Sequence, residues 1–459
     1  MKTVMTPALL LVALLLVPGL HAQTTHRPTP EQRLFEWTDL QFSKSVYQRR
    51  RDRMIARLRQ SGGGILLVPA RYGVSDGFTF RQSDDFLYLT GLELPDAVLV
   101  LDADAQTVVV FSPQRDARYA SSSRMNDFPG RLLAADPDVS TRSGIATFRS
   151  VSELSTAVEA WATRGKTLRV NLGRRGPIPD VTSDFIAKWS VEEALIFHLQ
   201  STFKEASIAN AFEDMARLRM VHGPEEIDAM RRVCALTIQA IQHAAGFVRD
   251  GIDERGLEAE LEAAYKRGGA QRLAFASIVK SGPNSLWPWR ILAANHDRRN
   301  RIMNNGDLVI FDVGTELDYY VSDVGRTFPV SGKFTARQRR ALEMATAVSD
   351  TIIAAIRPGV SFAELKDIAV AKIPPDERRY MQAGGFYGHH IGLSTGDPAL
   401  ADVPLEAGMI FTVEPWYYNH DEELSVFVED VILVTEDGHE NLTAALPRDP
   451  DGLEAITGH

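Results

Sequence analysis

Along most of the chain apolar residues recur with helical or strand periodicity, and one stretch sets that pattern against charge. Asp307–Gly314 is dense in Val, Ile and Phe, Tyr319–Phe328 is equally β-prone, and Thr315–Asp318 supplies polar connecting residues. The pattern predicts a β-hairpin. Asp312 and Asp323 interrupt its apolar flanks. A carboxylate inside a buried strand is costly unless it is paired, hydrogen-bonded or metal-bound. Two of them across one hairpin put like charges in one place, and a bound cation would neutralise both.

Ahead of this stretch, short β-type segments alternate with helices. Ser45–Gln60 reads as a helix, and Ile65–Val68, Phe86–Thr90, Ala97–Leu101 and Val108–Phe111 read as β-type. Ser152–Ala162 reads as a helix and Leu168–Asn171 as a strand. Ser207–Gly223 is a plausible junction, after which Pro224, Glu225 and Glu226 open a helix that runs to about Arg249. Glu254–Arg267 carries Leu257, Leu261 and Tyr265 on one face and is stopped by Gly268-Gly269. Beyond the hairpin, Thr335–Gln338 and Ser361–Glu364 are capping boxes that open two more helices. The expected fold class is α+β: an N-terminal α/β domain over 44–205 and a second domain over 206–459.

At 459 residues the chain exceeds one typical core. Its hydrophobic and charged fractions are ordinary for a folded protein. The net charge of −10 argues against nucleic acid as a partner, and Arg49-Arg50-Arg51 reads as a solvated helix face. A single cysteine, Cys234, excludes an internal disulfide and falls in a helical apolar stripe, where a core position is expected. Residues 1–22 have the plan of a secretory signal: Lys2, an apolar run Ala8–Val17, and a cleavage region ending at Ala22. The expectation is export to the periplasm or beyond, with no stable membrane association after cleavage; the alternative is an uncleaved anchor.

Three further segments repeat the anomaly of the hairpin. Gly388-His389-His390-Ile391-Gly392 sets imidazoles beside glycines, Met409–Pro415 is an apolar strand ending at Glu414, and Ser425–Leu433 is an apolar strand with Glu429 and Asp430 at its centre. Taken singly, each has a bland reading as a capped strand end or a polar turn. Taken together, carboxylates with one imidazole suit Mn²⁺ or another hard-to-borderline divalent ion better than a thiolate-type zinc site. Two such ions roughly 3.5–4 Å apart lower the pKa of a shared water and polarise a carbonyl.

The order DVG…SDVGRTFPVSG, GHHIGL, GMIFTVEPWYY and VEDVILVTEDG resembles the pita-bread metallopeptidases, and within them the proline-specific branch of aminopeptidase P and prolidase. Phe80–Gly91 and Phe111–Asp116 are similar to the N-terminal domain of that branch. The resemblance implies a pita-bread catalytic domain over 206–459 with Asp312, Asp323, His389, Glu414 and Glu429 as metal ligands. Asp323 and Glu429 would bridge both ions, Asp312 would complete one, and His389 with Glu414 the other. A bridging hydroxide would be the nucleophile and Glu414 the general base. The implied activity is removal of an N-terminal residue that precedes proline, and the resemblance admits a homo-oligomer in which the N-terminal half closes a neighbour's site. His389 fits the family's His-x-x-Gly spacing better than His390.

This sequence departs from the family pattern at several places. Gly396 stands where a second active-site histidine is usual, Phe427 where an arginine is frequent, and Trp416 where a glycine follows Glu-Pro. The upstream substrate-side histidine has two candidates, Asn295 and His296, of which His296 is taken as substrate-binding. Trp287, Trp289, Trp416, Tyr417 and Tyr418 either cup a prolyl ring, with Trp416 foremost, or pack in the core. The rival readings are a prolidase restricted to dipeptides, a metal-free creatinase-like C–N hydrolase, and a non-catalytic binding protein on the same fold.

Overall fold

The computed structural model describes residues 40–72, 80–113, 139–174, 190–286, 300–381 and 388–457. The signal-like segment 1–22, Trp287, Trp289, Asn295 and His296 lie outside the described residues. Among the described residues, no helix is long and apolar enough to cross a membrane.

The first half opens with α1 (Lys44–Gln60), β1 (Ile65–Pro69), α2 (Asp84–Thr90), β2 (Val98–Asp102) and β3 (Thr107–Ser112). It continues through α3 (Val139–Ser143), β4 (Thr147–Ser150), α4 (Leu154–Thr163), β5 (Leu168–Val170), α5 (Val191–Thr202), β6 (Ile208–Asn210) and α6 (Phe212–Arg219). Its strands form one six-stranded mixed sheet in the order β4-β3-β2-β1-β5-β6. Ile65, Leu67, Val100, Phe111, Leu168 and Val170 bury one face of that sheet against α4 and α5.

The chain departs here from two sequence expectations. Phe86–Thr90, expected as β-type, lies in helix α2. A short apolar run buried on all sides has no periodicity to separate strand from helix. What decides is the ends: Asp84 and Asp85 occupy the first turn, and Gly91 closes the helix at φ +70°. The junction expected over Ser207–Gly223 is instead strand β6 and helix α6. β6 pairs parallel with β5, so Ile208–Asn210, just past the expected 205/206 boundary, join the first sheet. Three residues of a strand give too short a pattern to read.

The second half holds helices α7 (Pro224–Ala245), α8 (Glu254–Arg267), α9 (Ala336–Ala355), α10 (Phe362–Lys372) and α11 (Pro450–Ile456) around small antiparallel sheets. The strands are β7 (Arg272–Leu273), β8 (Ile278–Ser281), β9 (Leu308–Val313), β10 (Thr315–Leu317), β11 (Tyr320–Val321), β12 (Val324–Pro329), β13 (Ile410–Val413), β14 (Trp416–Asn419), β15 (Leu424–Phe427), β16 (Asp430–Val434) and β17 (His439–Asn441). The capping boxes at Thr335 and Ser361 form as expected, each with its side chain accepting from the N3 amide. Cys234 is buried in α7.

The expected hairpin is present as β9 with β12, but its connection is itself structured. β10 and β11 form a second, tighter hairpin turned by Asp318 and Tyr319, both at positive φ, and pair with β7 in a separate sheet. The single strand expected over Ser425–Leu433 is broken. β15 pairs with β14, β16 pairs with β13, and Val428–Glu429 cross between the two ladders. These two departures deliver the acids to one place.

Candidate metal centre

Backbone register does most of the gathering. In the β9/β12 ladder Asp312 stands opposite Gly325, two residues after Asp323. Gly325 also forms a bridge with Glu429, whose amide donates to the Gly325 carbonyl at 2.9 Å. In the β13/β16 ladder Val413 stands opposite Asp430, and in the β14/β15 ladder Trp416 stands opposite Phe427. Glu414 and Glu429 therefore sit between these two rungs. His389 runs beside β13, with its carbonyl accepting from the Thr412 amide at 3.0 Å.

The side chains converge accordingly. Ligand atoms of Asp323, His389 and Glu429 lie within 4.8 Å of one another. His389 Nε2 is 3.4 Å from Asp323 Oδ2 and 3.6 Å from Glu414 Oε1. Its Nδ1–H donates to the His390 carbonyl at 3.3 Å, which turns Nε2 toward the carboxylates. The Thr412 hydroxyl accepts from the His389 amide and donates to Glu414 Oε1, tying the two groups together. Asp312, Asp323 and Glu429 are all buried.

The electrostatics show what this crowding costs. Burial, then the Asp323, Glu414 and Asp312 carboxylates, push Glu429 well above the usual carboxylate range. Burial raises Glu414 to about 7, opposed by His389 and reinforced by Asp323. Burial alone would lower His389, yet the carboxylates of Asp323 and Glu414 raise it to about 9. Asp323 Oδ1 and both oxygens of Glu429 are buried with no hydrogen-bond donor among the described residues. A folded protein rarely leaves such atoms orphaned, and carboxylates with one imidazole are the donor set of a divalent cation. The residues present fit a metal site.

Of the predicted site residues, Asp323, His389 and Glu429 cluster, Glu414 lies beside His389, and Asp312 stands opposite Gly325 and acts electrostatically on Glu429. His390 does not join them: it is buried edge-on to Phe362 at 5.4 Å and held down to about 3, first by burial and then by His222 and His389. Trp416, expected to face the substrate, packs in the interior. It is completely buried against Ile310 and Phe427, behind Glu414, because its position in β14 faces the β9/β12 sheet. Tyr417 is likewise buried, its hydroxyl donating to Glu377 at 2.8 Å.

Other residues that hold the centre in place were not anticipated from the sequence. Arg326, fully buried, donates to the carbonyls of Gly325 and Glu429 and pairs with Asp430 at 2.7 Å. The loop after His389 is gripped by Asp397, whose Oδ1 accepts from the Ser394 amide at 3.0 Å and from Arg219 at 2.5 Å. Arg219 also pairs with Asp85 at 2.8 Å and Asp84 at 3.3 Å, joining that loop to the first half. Arg326 carried a readable signal, a lone cation in an apolar strand beside the acids. Arg219 carried none, since its partners are remote in sequence.

The comparisons with known proteins agree with this geometry. Residues 228–436 match the model of metallopeptidase family M24, and residues 47–167 match that of the aminopeptidase P N-terminal domain. Xaa-Pro aminopeptidase of Escherichia coli is 27% identical over 452 residues, spanning 91% of this chain and 98% of its own. Xaa-Pro dipeptidase of Pyrococcus furiosus is 30% identical over 264 residues, 55% of this chain and 72% of its own. A glutamate-to-alanine variant of E. coli aminopeptidase P, solved in complex with substrate, superposes with a TM-score of 0.73 at 25% identity, covering 90% of this chain and 98% of that one. The chain is a metallopeptidase and belongs to family M24, in the pita-bread group of aminopeptidase P and prolidase.

Proposed function

We propose that this metallopeptidase is a Xaa-Pro aminopeptidase, releasing an N-terminal residue from peptides with proline at the second position. The observation that carries the reading is the convergence of Asp323, His389 and Glu429, with Glu414 beside His389 and orphaned carboxylate oxygens among them, in a chain whose likeness to the E. coli Xaa-Pro aminopeptidase runs through both halves. Asp312, Asp323, His389, Glu414 and Glu429 would hold two divalent ions, of which Mn²⁺ suits the donors best. When bound, such ions acidify water and polarise the scissile carbonyl. Glu414 takes the proton of the attacking water and passes it to the leaving nitrogen. The Thr412 hydroxyl orients Glu414 for that transfer, and the His390 carbonyl fixes the ring of His389. His296 is the residue proposed to contact the substrate.

Residues 1–22 are proposed to direct export, and self-association is proposed by likeness to the family. Metal analysis after reconstitution with Mn²⁺, with an assay on Xaa-Pro peptides of two and more residues, tests the whole reading. Cleavage of tripeptides and longer substrates supports it. Cleavage of dipeptides alone favours the dipeptidase reading, which the 30% identity to the P. furiosus enzyme over 264 residues keeps in view. Retention of no divalent metal would remove both, leaving the creatinase-like or the non-catalytic alternative.

A further inference from the structure

Two aromatic residues beside the candidate ligands touch each other. Trp416 and Phe427 form a directly opposed cross-strand pair, their rings stacked with centroids 3.6 Å apart and planes 21° apart. Both are completely buried, and with Ile310 they form an apolar cluster separate from the main core, with Tyr418 packed on Trp416 at 5.2 Å. The Phe427 ring lies over Gly325, where an added Cβ would come within 2.0 Å of the ring. That contact cannot be relieved by swinging Phe427 aside, because Trp416 backs it. Gly325, Phe427 and Trp416 are thus layers of one stack.

Each layer is coupled by the shortest backbone path to a candidate ligand. Asp323 lies two residues before Gly325, and Asp312 stands opposite Gly325 in the ladder. Glu414 lies two residues before Trp416, and Glu429 two residues after Phe427. All four carboxylates flank a stack that carries no charge and whose rings are completely buried. The centre needs such a frame, because the carboxylates repel one another and crowding favours their spreading apart. Thr327 locks the middle layer from outside, exchanging hydrogen bonds with the Phe427 amide at 2.8 Å and carbonyl at 2.9 Å.

We propose that the Gly325–Phe427–Trp416 stack is the positioning frame of the metal centre, setting the spacing of Asp312, Asp323, Glu414 and Glu429. The proposal rests on the reading of those residues as metal ligands, and it makes Trp416 and Phe427 positioning residues that contact no substrate. Loss of either ring should loosen the ligand set while the rest of the fold persists.

Titration of the metal-free, full-length protein with Co²⁺, followed by visible absorption, reads affinity and ligand geometry together. Trp416→Leu and Phe427→Leu should each weaken Co²⁺ binding by about tenfold or more, the scale of losing a group that orients ligands, and should alter the band shape. Trp416→Phe, which keeps a ring in the stack, should restore both. Leu453→Ala, at a fully buried position on α11, is the control for lost stability without a loosened frame and should bind Co²⁺ as the parent does. Should Trp416→Leu not fold, Phe427→Leu carries the same readout. The frame is overturned if the leucine variants keep the parent's affinity and spectrum, or if Leu453→Ala loses as much as they do. A parent protein that takes up no Co²⁺ would sink the ligand reading itself, and the frame with it.

Discussion

Arg326 shows what a single residue contributes behind the centre. Its guanidinium lies at zero exposure, shared among the carbonyls of Gly325, Glu429, Leu446 and Pro447 and the carboxylate of Asp430. Asp430 is held below the ordinary carboxylate range: burial pushes it up, and Arg326 and Arg448 more than reverse this. Removing one member of such a buried pair leaves the other uncompensated. Arg326→Met is expected to cost about 3–5 kcal/mol, measured by urea unfolding. At Glu429 the sign of the requirement is opposite, since among the described residues no cationic side chain pairs with the carboxylate there. Metal should therefore stabilise the parent, by about 2.7 kcal/mol at a hundredfold excess over Kd. Glu429→Gln should abolish the rise in Tm on adding Mn²⁺ and the fall on adding a chelator, as differential scanning fluorimetry would show. An unchanged Mn²⁺ response in that variant would place the ions elsewhere.

Among the elements, the ligand-bearing strands are defined by where they stop. Val428 and Glu429 leave the β14/β15 ladder and enter the β13/β16 ladder, and that transfer points Glu429 at the centre. The apolar pattern of Ser425–Leu433 runs unbroken through the change, so it reads as one strand. The hydrogen-bonding partners differ on the two sides, and no side-chain periodicity records them. Phe86–Thr90 fails for a related reason, as its burial is dictated by both halves of the molecule. Its end was visible in Gly91, whose φ of +70° only glycine adopts freely and whose Cβ would lie 2.4 Å from the Tyr47 ring. Gly91→Ala should cost about 1–3 kcal/mol, seen as a lower urea midpoint with an unchanged m-value.

Over the whole molecule, buried charges join the two halves. Arg50 of α1 pairs with Glu226 of α7 at 3.2 Å, and Tyr320 of β11 donates to the same carboxylate at 2.9 Å. Burial would raise Glu226, but Arg50 chiefly, then His222 and hydrogen bonds from Gly223 and Tyr320, bring it below its ordinary value. A carboxylate depressed on folding stabilises above its unfolded pKa of about 4.3 and loses that contribution as pH falls through the folded value. Glu226→Gln should therefore be less stable than the parent by about 3 kcal/mol at pH 7, the low end for breaking a buried pair. The gap should close as pH drops below the ordinary carboxylate range. Urea unfolding across acid pH checks this, and a gap independent of pH would mean that packing at Glu226 matters more than its charge.

By itself the sequence singled out the candidate ligands, because an ionised group within an apolar strand is anomalous wherever the strand goes. Asp312, Asp323, Glu414 and Glu429 were legible for that reason, as were the capping boxes at Thr335 and Ser361, whose partners lie three residues away. Tertiary structure alone decided how those acids meet, through the Gly325 junction and the crossing at Glu429. It also decided that Trp416 packs in the interior against Ile310 and Phe427 and that Arg219 ties Asp397 to Asp84 and Asp85. Local hydrogen bonds and periodic burial act over a few residues and leave a mark in the pattern. Contacts across hundreds of residues depend on which surfaces pack together, and no short stretch of chain encodes that choice.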